Sequence, residues 1–449
     1  MPETSSVPRM GRRRLIIAFL LLTLITVGYV DRINVSVAGP TIQEEMGLSS
    51  SQLGILYSAF FWGYAAMMVP GGWLIDKVGK HLVLPFAVLL WSLVAAISAV
   101  SQSLAVLLGF RVALGAAEAP AYPTGNLVIR EWAPLSERGF FTSMLQVGSL
   151  VGPAVATAPA AWLVTVAGWR WAFVFLASVG AVWLVAWVLL YRPPERARWI
   201  SERERAYILA ERGDSVAPDA GAGTIVVQPM SVGRLIRQRP MLGILLANGA
   251  QTYVVYFLLT WLPTYLIAEK HLELPKTGLL ISGIYLIAIV GSLVIGELSD
   301  RFLSPDRRQA LLGKRRTVVG SLMLVGFLPL VMVTWINGLP LLVFTISITL
   351  MAVTSSIVLT FALTNDLIVD NASSGRTFGL VSFGGQIIGL CAPIVTGYIV
   401  QASGYSPVFL VAGAVLLVGT VAVFLMPNRA LQPLEPALPL ETTPHKVAL

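Results

Sequence analysis

The chain has 449 residues, 56% of them hydrophobic and 12% charged, with a mean hydropathy of +0.78, a balance that excludes a soluble globular domain of this length. The formal charge of +8 is spread over short loops rather than gathered on one solvated domain, which argues against a nucleic-acid partner. A single cysteine, Cys391, and three histidines that fall in expected loops or the tail, His81, His271 and His445, leave no disulfide framework, no metal site and no cofactor site to expect.

In chain order, "RRRLIIAFLLL" has the basic start of an export signal, but its apolar run continues to about Ala38, too long for a signal core, and reads as a first membrane anchor. Apolar windows of about 20 residues follow one another at Leu15 to Ala38, Leu53 to Ile75, Leu82 to Val100, Leu104 to Val128, Phe140 to Val166 and Trp171 to Leu190. After a polar stretch they resume at Met241 to Ile267, Leu279 to Leu298, Val318 to Ile336, Leu341 to Leu363, Phe378 to Val400 and Val408 to Leu425. The expected fold is an all-α polytopic membrane protein of twelve transmembrane helices in two pseudo-symmetric six-helix bundles. Its expected boundaries are an N-terminus at 1–14, a bundle at 15–192, a central loop at 193–240, a second bundle at 241–427 and a tail at 428–449.

Of the 31 Lys and Arg residues, the odd-numbered loops hold only Arg170, Lys270 and Lys276, and the spans only Arg32 and Arg111; the rest lie at the termini and in the even-numbered loops. The positive-inside rule therefore expects both termini and the central loop on the cytoplasmic side. Within that loop, Ser201 and Glu204 have capping-box spacing for a short surface helix. Small-xxx-small pairs at Gly148/Gly152 and Gly385/Gly389, in the fifth and eleventh spans, are spaced for close helix contact in equivalent places of the two halves. An internal repeat of this kind places a binding site between the halves, near the bilayer midplane. Cys391, inside an apolar run, is expected as a small core residue, and Asp366, near a helix end, as a solvated cap.

Charges interrupt two spans: Asp31 and Arg32 in "GYVDRINVSVAGP", and Arg111 with Glu118 in "FRVALGAAEAP". Each costs about 2.5–3.5 kcal/mol at a helix centre on insertion scales. Arg111 and Glu118, seven residues apart, share a helix face, whereas Asp31 and Arg32 diverge by about 100°. Buried ion pairs that only fix packing are a weak reason to keep four charges, since apolar replacements of such pairs are often neutral or stabilising. A functional cluster is expected instead.

Several motifs carry a family resemblance over essentially the whole chain. "GGWLIDKVGKH" supplies Gly72, Asp76, Lys77, Gly79 and Lys80, and "GELSDRF" supplies Asp300 and Arg301. The first resembles the major facilitator superfamily's cytoplasmic signature, with its basic end shifted by one, and the second resembles a weaker copy of it. "YVDRIN", "FFWGYAAMMVPGGW", "FRVALGAAEAPAYP" and "YFLLTWLPTYL" are similar to the anion:cation symporter family within it, which includes carriers of sugar acids and aromatic acids. That resemblance implies a secondary carrier importing an organic anion with protons by alternating access, in a bacterial cytoplasmic membrane, as a monomer with no partner beyond substrate, protons and lipid. An exporter or antiporter of the same fold, or a non-transporting sensor, is the alternative; with no Walker loop, HExxH or GxSxG, an enzyme is not expected.

The residues expected to bind substrate are Arg32 through a bidentate fork, Tyr29 and Tyr64 through hydroxyls, and Gln146, Ser149, Gln251, Ser382 and Gln386 along the cavity. Ser382 and Gln386 stand where relatives carry other polar residues, so substrate identity is what they leave open. Asp31 and Glu118 are expected to take up protons, with Arg111 stabilising ionised Asp31. Gly72, Asp76, Lys77, Gly79, Lys80, Asp300 and Arg301 are expected to form a gate latch between the bundles.

Overall fold

A computed structural model describes residues 12–212, 230–302, 308–368 and 373–431, with the side chains of 300–302 and 308–311 outside that set. All regular structure among the described residues is helical. The first group comprises α1 (Leu15–Met46), α2 (Ser50–Val78), α3 (Lys80–Ile97), α4 (Leu104–Glu118), α5 (Ala121–Trp132) and α6 (Arg138–Leu190). The connection holds α7 (Glu202–Glu211) and α8 (Val232–Arg237). The second group comprises α9 (Arg239–Ala268), α10 (Leu274–Phe302), α11 (Arg308–Met332), α12 (Leu339–Leu367), α13 (Ser374–Ser403) and α14 (Ser406–Leu425).

Local chemistry sets the breaks. Gly47 ends α1 in the left-handed region at φ 63°, and Ser49 opens α2 with a complete capping box to Gln52. α6 runs for 53 residues, about 80 Å at 1.5 Å per residue, far more than the roughly 30 Å of a bilayer core. Gly168, at φ 81° and ψ 162°, divides it into the fifth and sixth spans. The fourth span is divided too: Pro120 and Pro123 lack amide hydrogens, so α4 stops at Glu118 and α5 starts at Ala121. Glu118 is thereby placed at a break in the middle of a span.

Close crossings depend on the small residues. A Cβ at Gly148 would lie 2.6 Å from the Leu22 carbonyl oxygen and one at Gly152 would lie 2.5 Å from the Tyr29 Cβ, so α6 is pressed against α1. In the second group Gly385 and Gly389 bring α13 equally close to Asn248 and Thr252 of α9. Gly63 and Gly115 do the same for α2 and α4, each facing a backbone carbonyl 1.9 Å from its missing Cβ. That last crossing aligns Phe60 and Tyr64 with Arg111 and Glu118.

Among the described residues, hydrogen bonds between the two groups gather toward one end. Ser58 donates to the Leu390 carbonyl at 2.8 Å, Tyr57 and Thr264 share a hydrogen bond at 3.0 Å, and the Ala158 amide donates to Ser282 at 3.2 Å. Gly54 lies against Pro393 and Gly397, and Gly278 against Ala161. These contacts lie in the half that carries the α1–α2 loop. None of these contacts reaches the half that carries the chain ends, where Asp76 and Lys77 are exposed.

Some expectations are corrected. Cys391 is exposed on the outer face of α13, because the small residues Gly385, Gly389, Ala392 and Pro393 occupy the packed face. Asp366 is not solvated; it pairs with Arg315 across α11 and α12. His81 lies inside α3 against Tyr191 rather than in a loop. Ser201 caps α7 by accepting from the Glu204 amide, but Glu204 does not return the capping bond. Its carboxylate is fully buried and accepts from the Arg14 amide at 2.9 Å and the Arg14 Nη1 at 3.1 Å. Arg14 also holds Glu137. Hydrogen bonding to Glu137, which outweighs the opposing effect of burial, raises the pKa of Arg14 above its ordinary value, with Glu204 adding to the effect. The connection is thus bolted to the first group by its leading part, while Met230, at the start of its trailing part, is held to the second group by Ser373 and Arg376.

Candidate substrate and proton site

α1 supplies Tyr29, Asp31 and Arg32, α2 supplies Phe60 and Tyr64, and α4 supplies Arg111 and Glu118. Arg32 donates from Nε to one oxygen of Glu118 at 2.9 Å, its Nη2 lies 2.9 Å from the same oxygen as an ion pair, and both side chains are almost fully buried. Gly28, one turn before Arg32, makes room for this: a Cβ there would sit 3.2 Å from the bonded oxygen. Three rings enclose the guanidinium, with Tyr29 and Phe60 centroids 4.5 Å and the Tyr64 centroid 5.0 Å from its Cζ. Such faces stabilise a desolvated cation by about 2 kcal/mol or more when water is excluded.

Arg111 rests on the other neighbour of this cage, its Cζ 5.2 Å from the Phe60 centroid. It forms no ion pair within 4 Å with Asp31, although its charge acts on both Asp31 and Glu118. Asp31 is 4% exposed, and neither of its carboxylate oxygens has a hydrogen-bond partner among the described residues. The second oxygen of Glu118 and the Nε of Arg111 are likewise buried without partners. Beside Glu118 lies a void of about 10 Å³, the room of one water, lined by Gly28, Tyr29, Arg32, Trp91 and Tyr122.

The facing wall belongs to the second group. Tyr256 of α9 stacks on Phe61 at 4.1 Å between centroids and donates to Gln386 of α13 at 2.5 Å. Gln251, fully buried five residues earlier on α9, donates to Ser356 and Thr360 of α12, both at 3.0 Å, and its amide oxygen has no partner among the described residues. Ser382 is half-buried one turn before Gln386. Gln146 is exposed and Ser149 half-buried on α6, and the Ser149 hydroxyl donates to the Gln146 carbonyl of its own helix.

The motif residues stand apart from one another. Asp76 is exposed at the end of α2 with no ion pair among the described residues. Lys80 pairs with Glu131 of α5 at 3.0 Å, inside its own group, and Lys77 lies over Trp73. Gly79 ends α2 at φ 92°, and Gly72 faces open space. Asp300 and Arg301 lie outside the residues whose side chains are described. Sequence reasoning missed Phe60, which joins the two arginines, and Tyr256, which joins the two walls. The only available signal for Tyr256 was its place at the head of "YFLLTWLPTYL".

Comparison with known proteins gives a consistent setting. The sequence profile described as Major Facilitator Superfamily matches residues 20–372 and 276–446. The D-galactonate transporter of Escherichia coli O6:H1 (strain CFT073) is 30% identical over 93% of this chain and 96% of its own length. A probable galactarate/D-glucarate transporter of Bacillus subtilis (strain 168) is 27% identical over 94% of this chain and 92% of its own. Among solved structures, a bacterial homologue of the human lysosomal transporter Spinster, inward-facing and unoccupied, has a TM-score of 0.73 at 18% identity, covering 92% of this chain and 97% of that one. A D-xylose-proton symporter has a TM-score of 0.69 at 14% identity, covering 93% and 100%.

Proposed function

For this chain, which belongs to the Major Facilitator Superfamily, we propose import of a sugar acid or related carboxylate by proton symport across a bacterial cytoplasmic membrane. The observation that carries the reading is the buried Arg32–Glu118 pair. A guanidinium fork suits a substrate carboxylate, and here an internal carboxylate already occupies it. Substrate and Glu118 are therefore competitors for one cation. Protonating Glu118 removes the competitor, so proton uptake and anion binding favour each other.

Asp31 provides a second acceptor, since an unpartnered carboxylate at 4% exposure is better tolerated neutral than charged. With substrate on Arg32 and one acid protonated, Arg111 balances the acid that stays ionised. Tyr29 and Tyr64 hold the Arg32 fork with their rings and offer hydroxyls to the substrate. Gln251, Ser382 and Gln386 receive it from the facing wall, with Gln146 and Ser149 along the entry. With one proton a monoanion moves no net charge; with two, the cycle gains about 2.3 kcal/mol per 100 mV.

The lysine and arginine distribution puts the chain ends in the cytoplasm, which makes the described conformation open inward. Asp76, Lys77 and the turn at Gly79 then belong to the parted gate, and when the bundles rock shut Asp76 meets the basic residues of the facing bundle. The protein works as a monomer, its site lying within one chain. Proteoliposomes with a pH step, acid outside, provide the test: a sugar acid should accumulate, and dissipating the step should abolish accumulation while leaving counterflow. Uptake indifferent to the step would refute proton coupling.

A further inference from the structure

The wall opposite Arg32 carries no positive charge. No Lys, Arg or His occurs in Met241–Ile267, Leu279–Leu298, Val318–Ile336, Leu341–Leu363, Phe378–Val400 or Val408–Leu425. What it presents instead is neutral hydrogen-bonding capacity with vacancies. The Gln251 amide oxygen and the Tyr285 hydroxyl are each buried without a partner among the described residues. Tyr285, at 2% exposure, lies one turn beyond Ser282 on α10, and Ser282 accepts from the Ala158 amide of the first group at 3.2 Å. It therefore lies at the seam between the bundles.

The charged wall has no cation to spare. Arg32 and Arg111 face Asp31 and Glu118, two against two. One substrate carboxylate on Arg32 and one proton on an acid restore that balance, and a second proton frees only Arg111, which shares the Phe60 ring with Arg32 on the same wall and so cannot serve the far end of the substrate. A second carboxylate, at the far end of a six-carbon chain, would lie against the neutral wall and leave a negative charge uncompensated out of water, where burial of an unpaired ion is strongly disfavoured. Hydroxyls meet no such obstacle, and they supply the donors and acceptors that Gln251 and Tyr285 lack.

We propose that this carrier selects polyhydroxy acids with a single carboxylate over the dicarboxylates of the same carbon skeleton, Tyr285 and Gln251 receiving the hydroxyl-bearing end. The inference rests on the sugar-acid reading above. It assigns Tyr285 as a specificity-determining residue.

Matched probes test it. Binding of D-galactonate, galactarate, D-gluconate and D-glucarate to the purified full chain is measured by calorimetry at pH 6.5. At least one aldonate should bind at least tenfold more tightly than the aldarate of the same skeleton. An aldarate that equals or exceeds its aldonate overturns the selectivity, while the sugar-acid reading survives; if none of the four binds, that reading falls and this inference with it. For Tyr285, Tyr285→Phe is combined with the 6-deoxy form of whichever aldonate binds. The variant and the deoxy ligand should each lose several-fold in affinity, and together lose no more than either alone, because both remove the same hydrogen bond. Independent, multiplying losses would show that Tyr285 acts only through packing.

Discussion

Glu118→Gln is the substitution that separates a competitor for Arg32 from a structural counterion. On the proposed mechanism the substrate displaces a carboxylate that accepts a 2.9 Å hydrogen bond from the Arg32 Nε and is ion-paired with its Nη2 at 2.9 Å. A hydrogen bond to a charged group contributes about 1.5–3 kcal/mol net, and 1.4 kcal/mol is a factor of ten in binding. Replacing that competitor with a neutral amide should therefore tighten substrate binding about ten- to a hundredfold at pH 8, where wild-type Glu118 must be protonated before it yields.

The sign follows from linkage. A proton taken up with the anion makes wild-type affinity fall as pH rises, by up to about tenfold per unit for each linked proton. Glu118→Gln removes one such proton, so its affinity between pH 6 and 8 should be flatter by that slope. Calorimetric titrations at three pH values read both effects, and proteoliposome assays read a third, loss of accumulation driven by a pH step with counterflow kept. A cost in stability is expected as well, because removing one partner from a buried pair leaves the other charge exposed to a low dielectric; substrate should recover it. If the variant binds with the wild-type pH slope and still concentrates substrate on an imposed gradient, the competition mechanism is wrong.

Asp31→Asn mimics the neutral form of an acid with no hydrogen-bond partner among the described residues; it should raise or preserve the melting temperature, spare counterflow and, where two protons accompany a monoanion, abolish the charge moved per substrate, measured by solid-supported-membrane currents. Gly54→Leu should hold open the end now closed, since even a Cβ there would lie 2.4 Å from the Pro393 carbonyl oxygen; cysteine labelling should report that end as accessible, and unchanged labelling with normal transport would contradict the gate. Glu204→Gln should cost about 1–3 kcal/mol of stability by stranding buried donors of Arg14, seen as a fall in melting temperature. Glu202→Gln, whose pair with Arg205 is solvent-exposed, should give no measurable shift.

The twelve spans were legible because membrane insertion is a local property of about 20 residues, and the small-xxx-small pairs were legible because helix contact repeats every four. Where partners lie far apart in sequence, that legibility ends. Spacing placed Arg111 and Glu118 on one face, yet Glu118 is bonded to Arg32, 86 positions away, through an approach of α1 to the α4–α5 break that no local pattern specifies. Glu204 has the spacing of a capping box and takes Arg14 instead, because a nearby guanidinium offers a stronger bond than the cap amide. Cys391 and Asp366 were misread for a related reason. An apolar or polar neighbourhood in sequence does not say which face of a helix is packed.

Arg32 lies under three rings and against one acid, and this arrangement explains why the charges persist in the bilayer at all. A cage of this kind stabilises the cation whichever carboxylate it holds, so exchanging Glu118 for a substrate changes the partner without leaving Arg32 bare. An uncaged arginine would face a large desolvation barrier at the moment of exchange. Phe60, close to both Arg32 and Arg111, would extend that protection to the second cation during the proposed shift of charge between Asp31 and Glu118. On the proposed mechanism the aromatic residues would govern the rate of exchange more than its equilibrium. Phe60→Leu should accordingly slow counterflow by a larger factor than it weakens binding, a split that a purely structural role would not produce.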